Sequence, residues 1–299
     1  MKDFKDKVAV ITGGASGFGH AVATRAAREG MKLVLADIEQ PRLDRVVAEF
    51  AAQGIQVIGV RTDVAKAADV EALAARTLER FGAVHFLFNN AGVAISGTVW
   101  ESTVADWEWV IGVNLWGVIH GVRVFTPIML KQGAEGHIVN TASVAGLLSP
   151  PSMSVYCVSK HAVVTLSECL FQDLAECNAQ IKCSVLCPAF VPTGIADSER
   201  NRPAELPAHE KSEADLKREA AVRHAVESGR ISAAQVADMV FDAVMEERFY
   251  ILTHKNIKAS IAQRLEDLIA ERDPTNPLAV TPGDRRPKAR TVGTEPIAS

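Results

Sequence analysis

Three side chains in one stretch are suited to moving a proton. Ser143 closes the apolar run Val139-Asn140-Thr141-Ala142, and Tyr156 and Lys160 follow it four residues apart. The spacing of Val155, Val158, Ala162, Val163 and Leu166 is helical, so a phenol and an ammonium share one face. A free phenol titrates near about 10 and is a poor base at neutral pH, but a cation beside it favours the phenolate and brings it toward working range. The Ser143 hydroxyl, at a strand end, could orient an alcohol or carbonyl oxygen beside Tyr156. A tyrosine four residues before a lysine also occurs by chance in many helices. The strand, loop and helix that deliver this pair, and a second motif near the N-terminus, give it meaning.

That second motif begins with a strand over 8–11, apolar throughout as in a strand covered on both faces, which empties into Thr12-Gly13-Gly14-Ala15-Ser16-Gly17-Phe18-Gly19. An alanine-rich helix over 20–29 follows. In this setting glycines let the backbone approach a pyrophosphate, whose charge a helix N-terminus stabilises. The next strand, over 32–37, ends at Asp37, roughly the 20-residue offset of a ribose-binding acid. A carboxylate there accepts hydrogen bonds from the adenosine ribose and repels a 2′-phosphate, which selects NAD over NADP. Arg42, on the following helix, is expected to be a solvated side chain.

Strands and helices alternate onward: helix 42–53, strand 55–60, helix 70–81, strand 84–88 ending in Asn89-Asn90-Ala91-Gly92, a long helix 106–131, strand 136–142 and strand 181–187. This alternation predicts an α/β fold, a doubly wound parallel sheet of about seven strands with helices on both faces and ligands at the carboxyl ends of the strands. Asp63, followed by Val64, could cap the next helix or face an adenine. Asn114 reads as a solvated or back-bonded asparagine, and the nearby Trp107, Trp109 and Trp116 as a packing surface or a subunit interface. The polar stretch 194–230 is either a substrate lid or a surface excursion. Ser232 caps a helix over 233–247, and a last strand covers 249–252. The expected division is a single catalytic domain over 1–255, then a helix over 256–272 and a tail containing Pro274, Pro277, Pro282, Pro287 and Pro296.

The 299 residues are 48% hydrophobic with a formal charge of −4, which allows a large core and points away from nucleic-acid binding and acidic disorder. The five cysteines form no C-x-x-C pair and have no histidine cluster, so neither a disulfide framework nor a metal site is expected. No apolar leader and no run of 18 apolar residues is visible, so a cytoplasmic protein without membrane contact is expected.

Assembled in order, Thr12-Gly13-x-x-x-Gly17-x-Gly19, Asp37, Asp63, Asn89-Asn90-Ala91-Gly92, Asn114, Ser143, Tyr156-x-x-x-Lys160 and Pro188-x-x-Val191-x-Thr193 resemble the short-chain dehydrogenase/reductase family over residues 7–252. The resemblance implies a Rossmann fold and hydride transfer at a nicotinamide, with Tyr156 as acid/base. Lys160 would lower its pKa and bind the nicotinamide ribose, Ser143 would hold the substrate oxygen, and Asn114 would support a water relay through Lys160. It implies NAD held by Gly13, Ser16, Gly17, Phe18 and Gly19 at the pyrophosphate and by Asp37 at the adenosine ribose. Asp63 and Val64 would face the adenine, Asn90 the chain near the ribose, and Val191 and Thr193 the carboxamide. It also implies a homodimer or homotetramer through the helices bearing Asn114 and Tyr156. One departure stands out: Ala189 follows Pro188 where the family usually has glycine, so the backbone there must approach the nicotinamide without a positive φ.

Val93, Ala94, Ile95, Val144, Leu147, Leu148, Met153 and Val155 flank the site and suggest a hydrophobic secondary alcohol or ketone. The opening Met1-Lys2-Asp3-Phe4 and the run Trp109 to Asn114 also resemble bacterial dehydrogenases that oxidise the benzylic alcohol of lignin-derived aryl ethers. A ketoacyl or steroid ketone reductase, running the same chemistry in reverse, is one alternative. A non-catalytic NAD-binding regulator is the alternative of another class.

Overall fold

A computed structural model of the protein describes residues 1–208 and 211–280. Seven strands, β1 Val8–Thr12, β2 Lys32–Asp37, β3 Val57–Arg61, β4 Phe86–Asn89, β5 Gly136–Thr141, β6 Ile181–Cys187 and β7 Tyr250–Leu252, pair in parallel in the order β3-β2-β1-β4-β5-β6-β7. Residues of β1, β4 and β5 are buried without exception, as expected once helices cover both faces, and in β5 this includes the polar His137, Asn140 and Thr141.

Successive strand residues divide between the two layers. Ala9, Ile11, Leu33, Leu35, Phe86 and Phe88 meet α1 (Gly17–Arg28), α2 (Gln40–Ala52) and α8 (Ala233–Met245). Val8, Val10, Val34, Leu87 and Ile138 meet α3 (Ala67–Phe81), α5 (Gly117–Gln132) and α6 (Ser154–Glu176). Phe86 anchors the first layer, its ring 6.3 Å from Phe88 and 5.7 Å from Phe241, and full burial of each such ring stabilises by about 1.5–3 kcal/mol.

The chain winds outward from β1 to β3 and returns to place β4 on the other side of β1. The order therefore reverses between β1 and β4, where a crevice opens at the carboxyl ends.

Several boundaries differ from the sequence expectations. The first helix begins at Gly17, not at 20, so Phe18 and Gly19 lie inside its first turn. The helix expected over 106–131 starts at Val104, where Thr103 and Asp106 form a reciprocal capping box. It is not uniform: α4 (Val104–Ile111) passes into a π turn, Gly112–Trp116, before α5. Gly112 and Gly117 flank that turn, and a Cβ on Gly117 would lie 2.7 Å from Val64 Cγ2, so the missing side chain lets the helix press against the loop after β3. Trp109 is buried and Trp116 half exposed, so the tryptophans do not form one packing surface.

Within the polar stretch 194–230, the described residues form a 3-10 segment, Gly194–Asn201, and α7, Glu213–Glu227, whose N-terminus carries a second capping box from Ser212 and Asp215. After β7 come a 3-10 turn, α9 (Lys258–Ile269) and a short turn at Pro277–Ala279; Pro282, Pro287 and Pro296 lie outside the described residues. The segment Val104–Gln132 contains no run of 18 apolar residues, but it is long and apolar enough on average to cross a membrane by length and composition. Here it is a layer of the fold, burying Val110, Phe125 and Met129.

Candidate active site

A cavity of about 900 Å³ lies over the carboxyl ends of the strands, and Gly13, Asp37, Asn90, Ser143, Tyr156 and Lys160 all line it. At its floor β1 and β4 are laced together: Thr12 Oγ1 accepts from the backbone N–H of Asn90 at 2.8 Å and of Ala91 at 3.1 Å, while Asn90 Nδ2 donates to the Thr12 carbonyl at 3.0 Å. Thr12 thus holds the crevice at its reversal point, a role not legible from its position beside the glycines.

The glycine turn has the shape an anion needs. Gly13 and Gly17 have φ of +63° and +53°, where a Cβ is strained, and a Cβ on Gly19 would fall 2.0 Å from the Gly13 carbonyl oxygen. Ser16 precedes α1 without capping it by its side chain, so the first-turn N–H groups are left to a ligand. Asp37 accepts from Ala15 N through Oδ2 and from Glu39 N through Oδ1, both at 3.0 Å, which orients its carboxylate at the end of β2. Burial pushes its pKa up, and the two backbone donors oppose that shift.

Arg42 is not simply solvated: its Nε lies 3.0 Å from Glu39 Oε2. Asp63 does not cap α3 directly. Its Oδ1 accepts from Ala65 N at 3.1 Å, it lies 3.4 Å from Lys66 Nζ, and it lines the cavity beside Val64. These glycines, the open helix terminus and the oriented acid fit a dinucleotide.

On the other side of the crevice, Ser143 Oγ accepts from Ala145 N at 3.1 Å and donates to the Pro188 carbonyl at 3.3 Å. The 3-10 turn after it, Val144–Gly146, packs so closely on α6 that a Cβ on Gly146 would lie 2.6 Å from the Lys160 carbonyl oxygen. That contact sets Ser143 against the helix carrying Tyr156 and Lys160. Lys160 Nζ donates to the Thr141 carbonyl at 3.0 Å and lies 5.7 Å from the centre of the Tyr156 ring.

The sequence suggests a phenol drawn down by Lys160; in the folded chain burial dominates instead. It pushes Tyr156 up to about 12, with the Ser143 hydroxyl acting the other way, and pulls Lys160 down to about 8. Desolvation disfavours both charged forms, and the ammonium is committed to Thr141.

Asn114 is fully buried, not solvated. Its Oδ1 accepts from Val93 N at 2.8 Å, and its Nδ2 donates to Val93 O at 2.9 Å and Ser159 Oγ at 3.1 Å. Ser159 in turn donates to the Tyr156 carbonyl at 2.7 Å. The π turn thereby ties the loop after β4 to α6, and Ser159 is a positioning residue for that helix that sequence reasoning missed. A Cβ on Gly92 would sit 3.4 Å from Asn114 Oδ1 and 3.6 Å from Lys160 Nζ, so the glycine keeps the space between those groups open. Asn114→Ala should lower unfolding free energy by roughly 2 kcal/mol, because Val93 N–H and C=O lose their partners; denaturant unfolding measures it, and a loss under about 0.5 kcal/mol would contradict the bridging role.

Over the crevice, Ser198 Oγ accepts from Ala94 N at 2.9 Å. Arg200 and Asn201 donate to Glu39 Oε1 at 2.8 and 3.0 Å. Arg202 reaches Asp106 Oδ1 at 2.7 Å in a buried ion pair and lies 5.0 Å over the Trp109 ring. Glu39 and Ser198 carry no sequence signal, because their partners are more than a hundred residues away. Val191 and Thr193 line the cavity, and Ala189 has no positive φ; its N–H donates to Thr253 Oγ1 at 3.3 Å. The loop takes its shape without the glycine.

The family model described as short chain dehydrogenase matches residues 7–204. The chain belongs to the short-chain dehydrogenase family. Of its solved relatives, a short-chain dehydrogenase/reductase from Burkholderia phymatum in complex with NAD is 55% identical, with a TM-score of 0.92, covering 94% of this dehydrogenase and 100% of that chain. The CLA biosynthesis dehydrogenase/reductase of Lactiplantibacillus plantarum is 38% identical over 278 residues, 92% of this chain and 97% of its own. The C alpha-dehydrogenase of Sphingobium sp. strain SYK-6 is 32% identical over 305 residues, 98% of this chain and 94% of its own. The dehydrogenase is therefore an oxidoreductase with the seven-stranded Rossmann sheet expected from its motifs.

Proposed function

We propose that this dehydrogenase transfers a hydride between NAD(H) and a hydrophobic secondary alcohol or its ketone, aromatic substrates included, with Tyr156 exchanging the substrate proton. The observation that carries this reading is the meeting of the glycine turn, Asp37, Ser143, Tyr156 and Lys160 in one cavity at the strand ends. Gly13, Ser16, Gly17, Phe18 and Gly19 would hold the pyrophosphate, Asp37 the adenosine ribose, and Asp63 and Val64 the adenine. Asn90, Tyr156 and Lys160 would hold the nicotinamide ribose region, and Val191 and Thr193 the carboxamide. Bound NAD supplies the nicotinamide carbon that accepts or returns the hydride.

Ser143 holds the substrate oxygen, Tyr156 takes its proton in oxidation and returns it in reduction, and Lys160 orients the ribose. Asn114 supports proton exchange through the space that Gly92 leaves beside Lys160. Segment 194–230 acts as a lid, latched to the loop after β4 by Ser198 and to the cofactor side by Arg200 and Glu39. The apolar walls from Val93, Trp109, Val144, Leu148 and Met153 suit a hydrophobic substrate, in keeping with the names of the two curated relatives.

A panel of aliphatic, benzylic and steroid alcohols assayed for NADH formation tests the reading, and silence across all three classes would refute it. Asp37, with Arg42 held by Glu39, supports NAD: kcat/KM with NAD should exceed that with NADP by about tenfold or more, since about 1.4 kcal/mol of charge repulsion is already that factor. Trp116 and Val158, half exposed on the helices next to Asn114 and Tyr156, support a homodimer or homotetramer. Light scattering should give two or four times 32.1 kDa, and a monomer mass would rule the assembly out.

A further inference from the structure

Charge is divided along the cavity. Its lining carboxylates, Asp37, Glu39 and Asp63, all stand at the ends of β2 and β3, on the proposed adenosine side. Among the lining cations, Lys160 is held by the Thr141 carbonyl and Arg200 by Glu39. Arg230 and Lys255 also line the cavity, and among the described residues neither side chain has an ion pair or hydrogen bond.

Two separate elements carry these cations, both exposed, to the lining of one cavity. Arg230 follows Gly229, whose Cβ would lie 2.5 Å from the Phe190 carbonyl oxygen, so the loop after α7 is pressed onto Phe190. Lys255 follows Thr253 and His254, and Thr253 Oγ1 accepts from the N–H of Ala189. Both anchors therefore fall on the consecutive residues Ala189 and Phe190. The preceding residue, Pro188, accepts from Ser143 Oγ and from Val144 N at 2.9 Å. The loops that bear the cations are thus anchored beside the segment that also accepts from Ser143, and Val222, Val226, Ile257 and Leu278 line the same cavity.

We propose that Arg230 and Lys255 form an anion subsite at the far end of the substrate channel, so that the preferred substrate is an elongated apolar alcohol or ketone ending in a carboxylate or similar anion. This deepens the reading above, on which it rests for the position of the reacting carbon. An apolar chain would lie between lid and α9 while its anionic end meets two cations that, among the described residues, have no carboxylate partner. Electrostatic complementarity of this kind favours the charged ligand over its neutral analogue and weakens with salt.

Equilibrium binding of decanoate and of methyl decanoate to the NADH-loaded enzyme tests the subsite without requiring turnover. Decanoate should bind about tenfold more tightly at low salt, an advantage that shrinks in 0.5 M salt as the Debye length falls to about 4 Å. The Arg230→Gln, Lys255→Gln double variant should bring the ratio close to one, with circular dichroism verifying its fold. Equal binding of acid and ester by the wild type, or an undiminished ratio in the variant, would overturn the subsite. So would a loss confined to NADH affinity, which would assign the cations to the cofactor phosphates. If no alcohol is oxidised while decanoate keeps its cation-dependent advantage, the hydride-transfer reading fails and the subsite stands.

Discussion

Tyr156→Phe should lower kcat by about 10³-fold, within the range a positioned acid/base contributes, while NADH still binds. The variant removes one oxygen and keeps the ring. The glycine turn and Asp37 belong to other elements, and α6 is positioned through groups other than the phenol: Lys160 Nζ donates to the Thr141 carbonyl, Ser159 Oγ accepts from Asn114 Nδ2, and Gly146 packs on the Lys160 carbonyl. None of these contacts involves the phenol oxygen. Steady-state turnover and NADH fluorescence titration measured together give the result, and activity within about fivefold of wild type would remove Tyr156 from the mechanism.

The pH profile bears on the same oxygen. Burial raises Tyr156 to about 12, so its proton-accepting form grows as pH rises, and alcohol oxidation should accelerate into the alkaline range. Ketone reduction uses the protonated phenol, already dominant at neutral pH, and should stay level until the phenol begins to ionise. Lys160, brought down to about 8, loses its charge over the same alkaline range and with it part of the attraction that would favour phenolate. Oxidation is therefore expected to rise less steeply than free ionisation of Tyr156 would give. The phenylalanine variant should lose the rise altogether.

Gly19→Ala should weaken NADH binding by at least tenfold and destabilise the fold by about 3 kcal/mol, the upper end for overpacking. The new methyl would lie 2.0 Å from the Gly13 carbonyl oxygen and 2.7 Å from its carbon, both backbone atoms that cannot rotate aside. Either the turn or α1 must move. Helix α1 is held against α8, where Arg25 pairs with Asp238 at 2.6 Å, so the glycine turn is the part that gives. Gly54→Ala is the control: it also has positive φ, +78°, but nothing lies within 4 Å of the added methyl. It should show the backbone strain, about 1–2 kcal/mol, without the loss of NADH affinity. Equal NADH affinity in the Gly19 variant would show that the turn does not cradle the cofactor.

Local sequence pattern determines a great deal of this molecule. Apolar runs such as Val8–Ile11 and alternation with amphipathic helices are enough for a parallel sheet, because only strands covered on both faces read that way. The glycine turn, Asp37, Ser143, Tyr156 and Lys160 were legible because each depends on short spacings within one strand end or one helix face. Other features needed the folded chain. Asn114 looks like an ordinary helical asparagine until the π turn buries it against Val93, and the π turn itself depends on Gly117 meeting Val64, more than fifty residues away. The dominance of burial at Tyr156 could not be read from a spacing of four residues, since desolvation is a property of the walls around the group. The Glu39–Arg200 latch and the anchoring of Gly229 on Phe190 and of Thr253 on Ala189 join distant segments, and no periodicity encodes a contact between elements that only packing brings together.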